Sequence, residues 1–149
     1  MKYIKIIFFI FLTNNIYSQN YEYLKKLDTI YISFKKGKHN MKIEYPEEKN
    51  GFKNKGYFFN VKKKEIQPFR FEIDKNRTSD NTVVNKSFLR KHKRKTIKID
   101  ALNKFDYQDV SCEILNQLKT IYIIDYSEKK NKNVMLYRVI SINLCYTKE

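Results

Sequence analysis

Ile121-Tyr-Ile-Ile-Asp-Tyr126 and Val134-Met-Leu-Tyr-Arg-Val-Ile-Ser-Ile-Asn-Leu144 are joined by Ser127-Glu-Lys-Lys-Asn-Lys-Asn133, and this stretch decides the fold class. Both arms are rich in β-branched and aromatic side chains, which suit a pleated surface, and the joining segment is polar and turn-prone. They read as a hairpin. Ile121 and Ile123 alternate with Tyr122 and Ile124, so the first arm has apolar groups for both of its faces.

The same period of two runs upstream from Tyr21 to about residue 74. Ile30, Ile32 and Phe34 share one strand face, with Thr29, Tyr31 and Ser33 on the other. Beyond Gly37, Met41, Ile43 and Tyr45 point one way, and the two runs read as a second hairpin. Pro46 ends it because proline cannot donate to a ladder. Glu47 to Lys55 is a polar loop. Tyr57-Phe-Phe-Asn-Val61 and Phe69-Arg-Phe-Glu-Ile73, separated by a Lys-rich turn ending in Pro68, complete an expected antiparallel meander. Asp74 to Asn81 holds no apolar residue and reads as an exposed loop, followed by short β-like pieces at Val83-Val84 and Ile97-Lys-Ile99.

One segment has a helical period instead. Asp106 is a good N-cap, Asp109 suits the positive helix end, and Tyr107, Val110, Ile114 and Leu118 recur at three or four residues. The expectation is an α+β domain: an antiparallel sheet of about six to eight strands with one main helix, about 106–119, packed on it. Spacing leaves open whether the sheet curls into a partial barrel.

The chain starts with the layout of a secretory signal peptide over residues 1–18. Lys2 and Lys5 precede an unbroken apolar run from Ile6 to Leu12, a polar segment follows, and Ser18 is small enough for the cleavage position. That run is far shorter than the roughly 20 apolar residues a membrane-spanning helix needs. No comparable segment follows, so the mature chain is expected to lack a transmembrane helix and to work in the periplasm or outside the cell. The first mature residue would be Gln19, so no lipoprotein cysteine is available. Residues 19–149 then make one domain, large enough to bury a core without a staple.

After residue 18 the chain keeps 29 of its 31 basic residues and all 16 acidic ones, a side-chain charge of +13. Such a balance attracts polyanions. Lys outnumbers Arg by 26 to 5, however, whereas specific base or phosphate recognition favours the arginine fork. No specific nucleic-acid recognition is expected, and lysine is also what an adenine-rich coding sequence supplies by default. The charge concentrates in Lys86, Arg90, Lys91, His92, Lys93, Arg94, Lys95 and Lys98, a stretch without an acidic residue. It reads either as a solvated face or as an anion-binding patch for an anionic polymer. With Phe88 and Leu89 beside it, the stretch also has the composition of a short amphipathic piece on an anionic lipid surface.

Cys112 and Cys145 can pair in an exported chain, closing a loop worth on the order of 3 kcal/mol, or stand as separate thiols. Cys112 lies on the flank of the expected helix and Cys145 ends the last strand, so a helix lying across the sheet can bring them together.

Enzyme signatures are missing. The chain has no Cys-x-x-Cys, no His-x-x-x-His, no glycine-rich phosphate loop and no nucleophile elbow, so neither a metal nor a cofactor is implied. His39 and His92, with a nearby lysine, are the one pair able to serve as base and acid in a ribonuclease-like cleavage. The reading is therefore a small, basic, exported binding protein contacting anionic envelope or extracellular components. A His-dependent hydrolase and an accessory subunit with a protein partner are the alternatives.

Overall fold

The computed structural model describes residues 21–44, 55–60, 68–102, 104–143 and 145. The expected signal peptide, most of the loop between Glu47 and Lys55, and the turn before Pro68 lie outside them. Among the described residues eight strands form one sheet: β1 (Thr29–Phe34), β2 (Asn40–Glu44), β3 (Lys55–Phe59), β4 (Phe69–Ile73), β5 (Thr82–Val84), β6 (Thr96–Ile97), β7 (Thr120–Lys130) and β8 (Asn133–Ser141). Their order is β2-β3-β4-β8-β7-β1-β6, and β5 also pairs with β8. The helices are short: α1 (residues 21–25), α2 (Lys86–Lys91) and α3 (Tyr107–Asp109), the last continuing as a π-helical turn over Val110–Ile114. None of them is long and apolar enough to cross a membrane.

The class is α+β, but the sheet is mixed rather than antiparallel. β1 runs parallel to both neighbours, with Ile30 beside Ile121 on β7 and Ile32 beside Ile97 on β6. It does not form a hairpin with β2, which pairs with β3 instead. A period of two is identical in parallel and antiparallel strands, so spacing could not separate the cases. What does distinguish β1 is burial on both faces: Ile30, Ile32 and Phe34 on one and Tyr31 on the other are all buried. Parallel strands are normally covered in that way.

β7 and β8 form the expected hairpin with a tighter turn than the polar segment indicates. Asn131 (φ 45°) and Lys132 (φ 68°) alone make the connection. Two positive φ values match the twist of the flanking strands, so Ser127 to Lys130 remain in β7. The pairing register is irregular between Asp125 and Lys130.

Side chains on one face of the sheet form the main core. Phe34 meets Tyr57 and Phe59 edge-on at centroid distances of 4.9 and 5.6 Å, and Phe59 meets Phe71 at 5.8 Å. β4, β8 and β7 separate β3 from β1 in the strand order, so these contacts require a strongly curled sheet. Each such fully buried aromatic contributes roughly 1.5–3 kcal/mol.

α3 closes this inner face and departs from the expected helix over 106–119. Asp106 caps it as expected, its Oδ1 accepting from the backbone N–H groups of Gln108 at 2.9 Å and Asp109 at 3.3 Å. The next turn is wider: the Leu115 N–H donates to the Val110 carbonyl at 2.8 Å, five residues back. The extra residue rotates Ser111 and Leu115 inward beside Val110 and Ile114. Asn116 then stops the helix, its Oδ1 accepting from the Leu118 N–H at 3.1 Å. Leu118, expected in the buried stripe, is 97% exposed. Cys112, on the flank of this turn, is disulfide-bonded to Cys145 just past β8, with Cα atoms 5.1 Å apart.

Candidate functional site

The outer face of the sheet carries the basic stretch. Asn85, in extended conformation, caps α2 by accepting from the Phe88 N–H at 3.0 Å. The chain can enter a helix there because Asn satisfies one of the first-turn donors that would otherwise be orphaned. α2 turns Phe88 and Leu89 toward the sheet, against the cluster of Tyr31, Val84, Ile124, Val134 and Leu136, with Tyr122 at its side. Tyr31 lies at the centre: Tyr122 stacks on it at 5.5 Å, Phe88 meets it edge-on at 5.6 Å and His92 lies 4.8 Å away.

This packing separates the stretch into two kinds of residue. Lys86, Arg90, Lys91, Lys93, Arg94, Lys95 and Lys98 are all exposed. No ion pair joins any of them to an acidic side chain among the described residues. His92 is instead half-buried between Phe88, 4.3 Å away, and Tyr31. Burial, followed by the charges of Lys91 and Lys95, holds its pKa below the usual histidine value, so the ring is neutral at pH 7. Its backbone carbonyl accepts from the Thr96 hydroxyl at 2.9 Å and from the Lys95 N–H at 3.0 Å, turning the chain into β6.

Beyond the end of α2 the outer face is open. Ser33, Lys35, Lys93, Thr96, Lys98 and Tyr126 line a groove of about 490 Å³. Ser33 and Thr96 both spend their hydroxyl protons locally, Ser33 on the Ile97 carbonyl at 3.3 Å, and keep acceptor and packing roles. Lys35 and Tyr126 had no signal as a pair in the sequence. They are neighbours only because β1 lies parallel to β7, with Phe34 beside Asp125.

A second polar cluster sits on the inner face where the sheet curls. Lys42, on edge strand β2, reaches Asp125 at 3.1 Å and also contacts Glu128. Lys55 contacts Glu128 at 2.7 Å and the Tyr137 hydroxyl at 3.0 Å. Tyr137 donates to Glu128, and Tyr57 donates to Asp125 at 3.0 Å. Asp125 also accepts from the Ser127 N–H at 2.8 Å and the Ser127 hydroxyl at 2.5 Å. The Lys42 side chain is 9% exposed and that of Asp125 is 0% exposed, so this is a buried ion pair. Burial opposes the charge on Glu128, but hydrogen bonds from Lys42, Lys55 and Tyr137 outweigh it and hold its pKa at about 2. Burial, then the neighbouring carboxylates, push the Tyr57 and Tyr137 hydroxyls well above the ordinary phenol value, so both remain proton donors. The groups are paired among themselves, and the arrangement bolts β2 and β3 to β7 and β8.

His39 occupies the turn between β1 and β2, where its backbone carbonyl accepts from the Asn60 N–H at 2.7 Å. No hydrogen bond or ring contact joins it to His92. Among the described residues no group of three or more His, Cys, Asp and Glu side chains converges in the manner of a metal site. Compared with known proteins, the chain matches no family model, no curated protein and no solved structure.

Proposed function

We propose that this is an exported, non-enzymatic binding protein whose basic outer face holds anionic envelope or extracellular components. The observation that carries the reading is the division of labour in residues 86–98. Phe88, Leu89 and His92 clamp the segment to the sheet, while seven cationic side chains project into solvent without acidic partners. A clamped array presents its charges without first having to be ordered, which lowers the entropic cost of binding. Release of counterions from a bound polyanion would supply much of the affinity.

The Cys112–Cys145 bond supports an oxidising location, where disulfides persist. On this reading residues 1–18 direct export and residues 19–149 form the working domain. The hydrolase alternative draws no support from His39 and His92, which lie on separate elements with His92 occupied in packing.

The test is binding to heparin and to anionic lipid vesicles across a salt series, with Arg90, Lys91, Lys93, Arg94 and Lys95 all changed to Gln in a companion variant. Tight binding that falls steeply with salt and is lost in the variant supports the reading. Equal, weak binding by both proteins overturns it, and a stoichiometric protein partner recovered at high salt points to the accessory-subunit role.

A further inference from the structure

Resting on the anion-binding reading above, we propose that the groove beyond α2 seats a stretch of acidic polysaccharide. Its sulfate or carboxylate groups meet Lys35, Lys93 and Lys98, and a sugar face lies against Tyr126.

The groove follows from strand parity. Ile30, Ile32 and Phe34 face the core, so Tyr31, Ser33 and Lys35 alternate along the outer face of β1. Tyr122, Ile124 and Tyr126 do the same on β7, and Thr96 and Lys98 on the chain through β6. α2 covers the first part of this surface, over Tyr31, Tyr122 and Ile124. Past it, Ser33, Lys35, Thr96, Lys98 and Tyr126 are left as a trough with Lys93 on its rim. The trough lies past the carboxyl end of β1, between the chain through β6 and Tyr126 in the middle of β7. Its volume of about 490 Å³ is within the range of small-molecule sites, roughly 300–1,000 Å³. A smaller depression of about 150 Å³ adjoins it, sharing Ser33, Lys35 and Lys98 and adding Asn40, Phe59 and Asp100. The Asp100 carboxylate disfavours an anionic group at that end, which sets a polarity along the groove.

The lining selects among anionic ligands. Lys35, Lys93 and Lys98 carry no ion pair among the described residues, and lysine acts as a mobile point charge that accepts a sulfate or carboxylate in many geometries. Arg90 and Arg94, the forked donors suited to nucleic acid, do not line the groove. Sequence-tolerant binding of single strands relies on several aromatic platforms in succession, and Tyr126 is the one ring on the basic trough. A lipid surface would require an apolar wedge, but Phe88 and Leu89 are turned into the sheet. A sugar chain offers what the site can use: anionic groups for the lysines, hydroxyls for Ser33 and Thr96, and an apolar ring face for Tyr126.

The experiment is titration of the disulfide-bonded protein with a size-defined heparin oligosaccharide, alongside single-stranded DNA and anionic vesicles. Three variants are compared: K35Q/K98Q, Y126A, and K129Q/K130Q as a charge-matched control outside the groove. All five positions are exposed or at the rim, and a thermal melt confirms that each variant is folded. We expect oligosaccharide affinity to fall about tenfold in K35Q/K98Q with a shallower salt dependence. In Y126A it should fall about threefold to tenfold with the salt dependence unchanged, while K129Q/K130Q stays within about twofold of the parent. Undiminished oligosaccharide binding in K35Q/K98Q and Y126A, with loss in the five-Gln variant of residues 90–95, would overturn the groove and leave the anion-binding face standing. Absence of binding to any of the three probes would overturn both. Preference for DNA or vesicles over the oligosaccharide would overturn the assignment of the groove to a polysaccharide.

Discussion

Replacing Asp125 with Ala tests the idea that a buried charge cluster holds the curled sheet together. The carboxylate is fully buried and accepts from Lys42, Tyr57 and both the backbone and hydroxyl of Ser127. Removing it strands the buried Tyr57 hydroxyl, whereas Ser127, on the exposed part of β7, can turn to water. Lys42 keeps Glu128 and a longer contact to Glu44 at 3.8 Å, so its charge is not left wholly uncompensated. Breaking a buried pair from one side costs about 3–5 kcal/mol, and the retained partners place this case near 3. For a chain of this size that is a fall of roughly 10 °C in melting temperature. The assay is urea denaturation with the disulfide intact, run as a cycle with Lys42→Met and the double variant. The pair should couple by about 1 kcal/mol or more, because Met tolerates the site once the carboxylate is gone. A loss below about 1 kcal/mol for D125A, or additive single effects, would refute the argument.

Three further outcomes follow from the same geometry. Glu128 has its pKa lowered from an ordinary 4.5 to about 2 on folding, so its contribution is present above pH 4.5 and disappears as pH falls toward 2. E128Q should therefore flatten the acid limb of a stability-against-pH curve, and an unchanged limb would count against this cluster. Reduction of Cys112–Cys145 should lower unfolding free energy by about 3 kcal/mol, read from denaturation with and without reductant; the intact protein should resist alkylation when unfolded without reductant. Lys132 adopts φ 68°, so K132G should raise stability by up to about 1 kcal/mol in the same assay.

Much of the local structure was legible in the residues. The β7–β8 pairing, the Asp106 cap, and the alternation that puts Ile30, Ile32 and Phe34 inside all follow from side-chain chemistry acting over a few positions. What escaped depends on partners distant in the chain. On β2 the apolar Met41 and Ile43 are largely exposed while Lys42 turns inward, an inversion that makes sense only once Asp125 and Glu128 are brought opposite. The π-helical turn was equally invisible, since its one-residue excess appears only in the bond from Leu115 to Val110. For the candidate site, the charges of residues 86–98 were plain. Their clamp and the groove beside them were not, because Tyr31, Lys35 and Tyr126 join them through the parallel placement of β1.

That placement also constrains how the molecule comes into being. β1 forms early in the chain, yet the two strands that flank it, β6 and β7, are among the last three to be made, with Thr29 waiting for Thr120. Loop-closure entropy must be met before any of those contacts can repay it, so the centre of the sheet is assembled late and cooperatively. A nascent or truncated chain ending before β7 lacks the strand that lies along Ile30 and Ile32 on one side, although Phe34 can still meet Tyr57 and Phe59 on β3. The centre of the sheet therefore stays open until β7 has been made, so the order of synthesis decides when this part of the core can close.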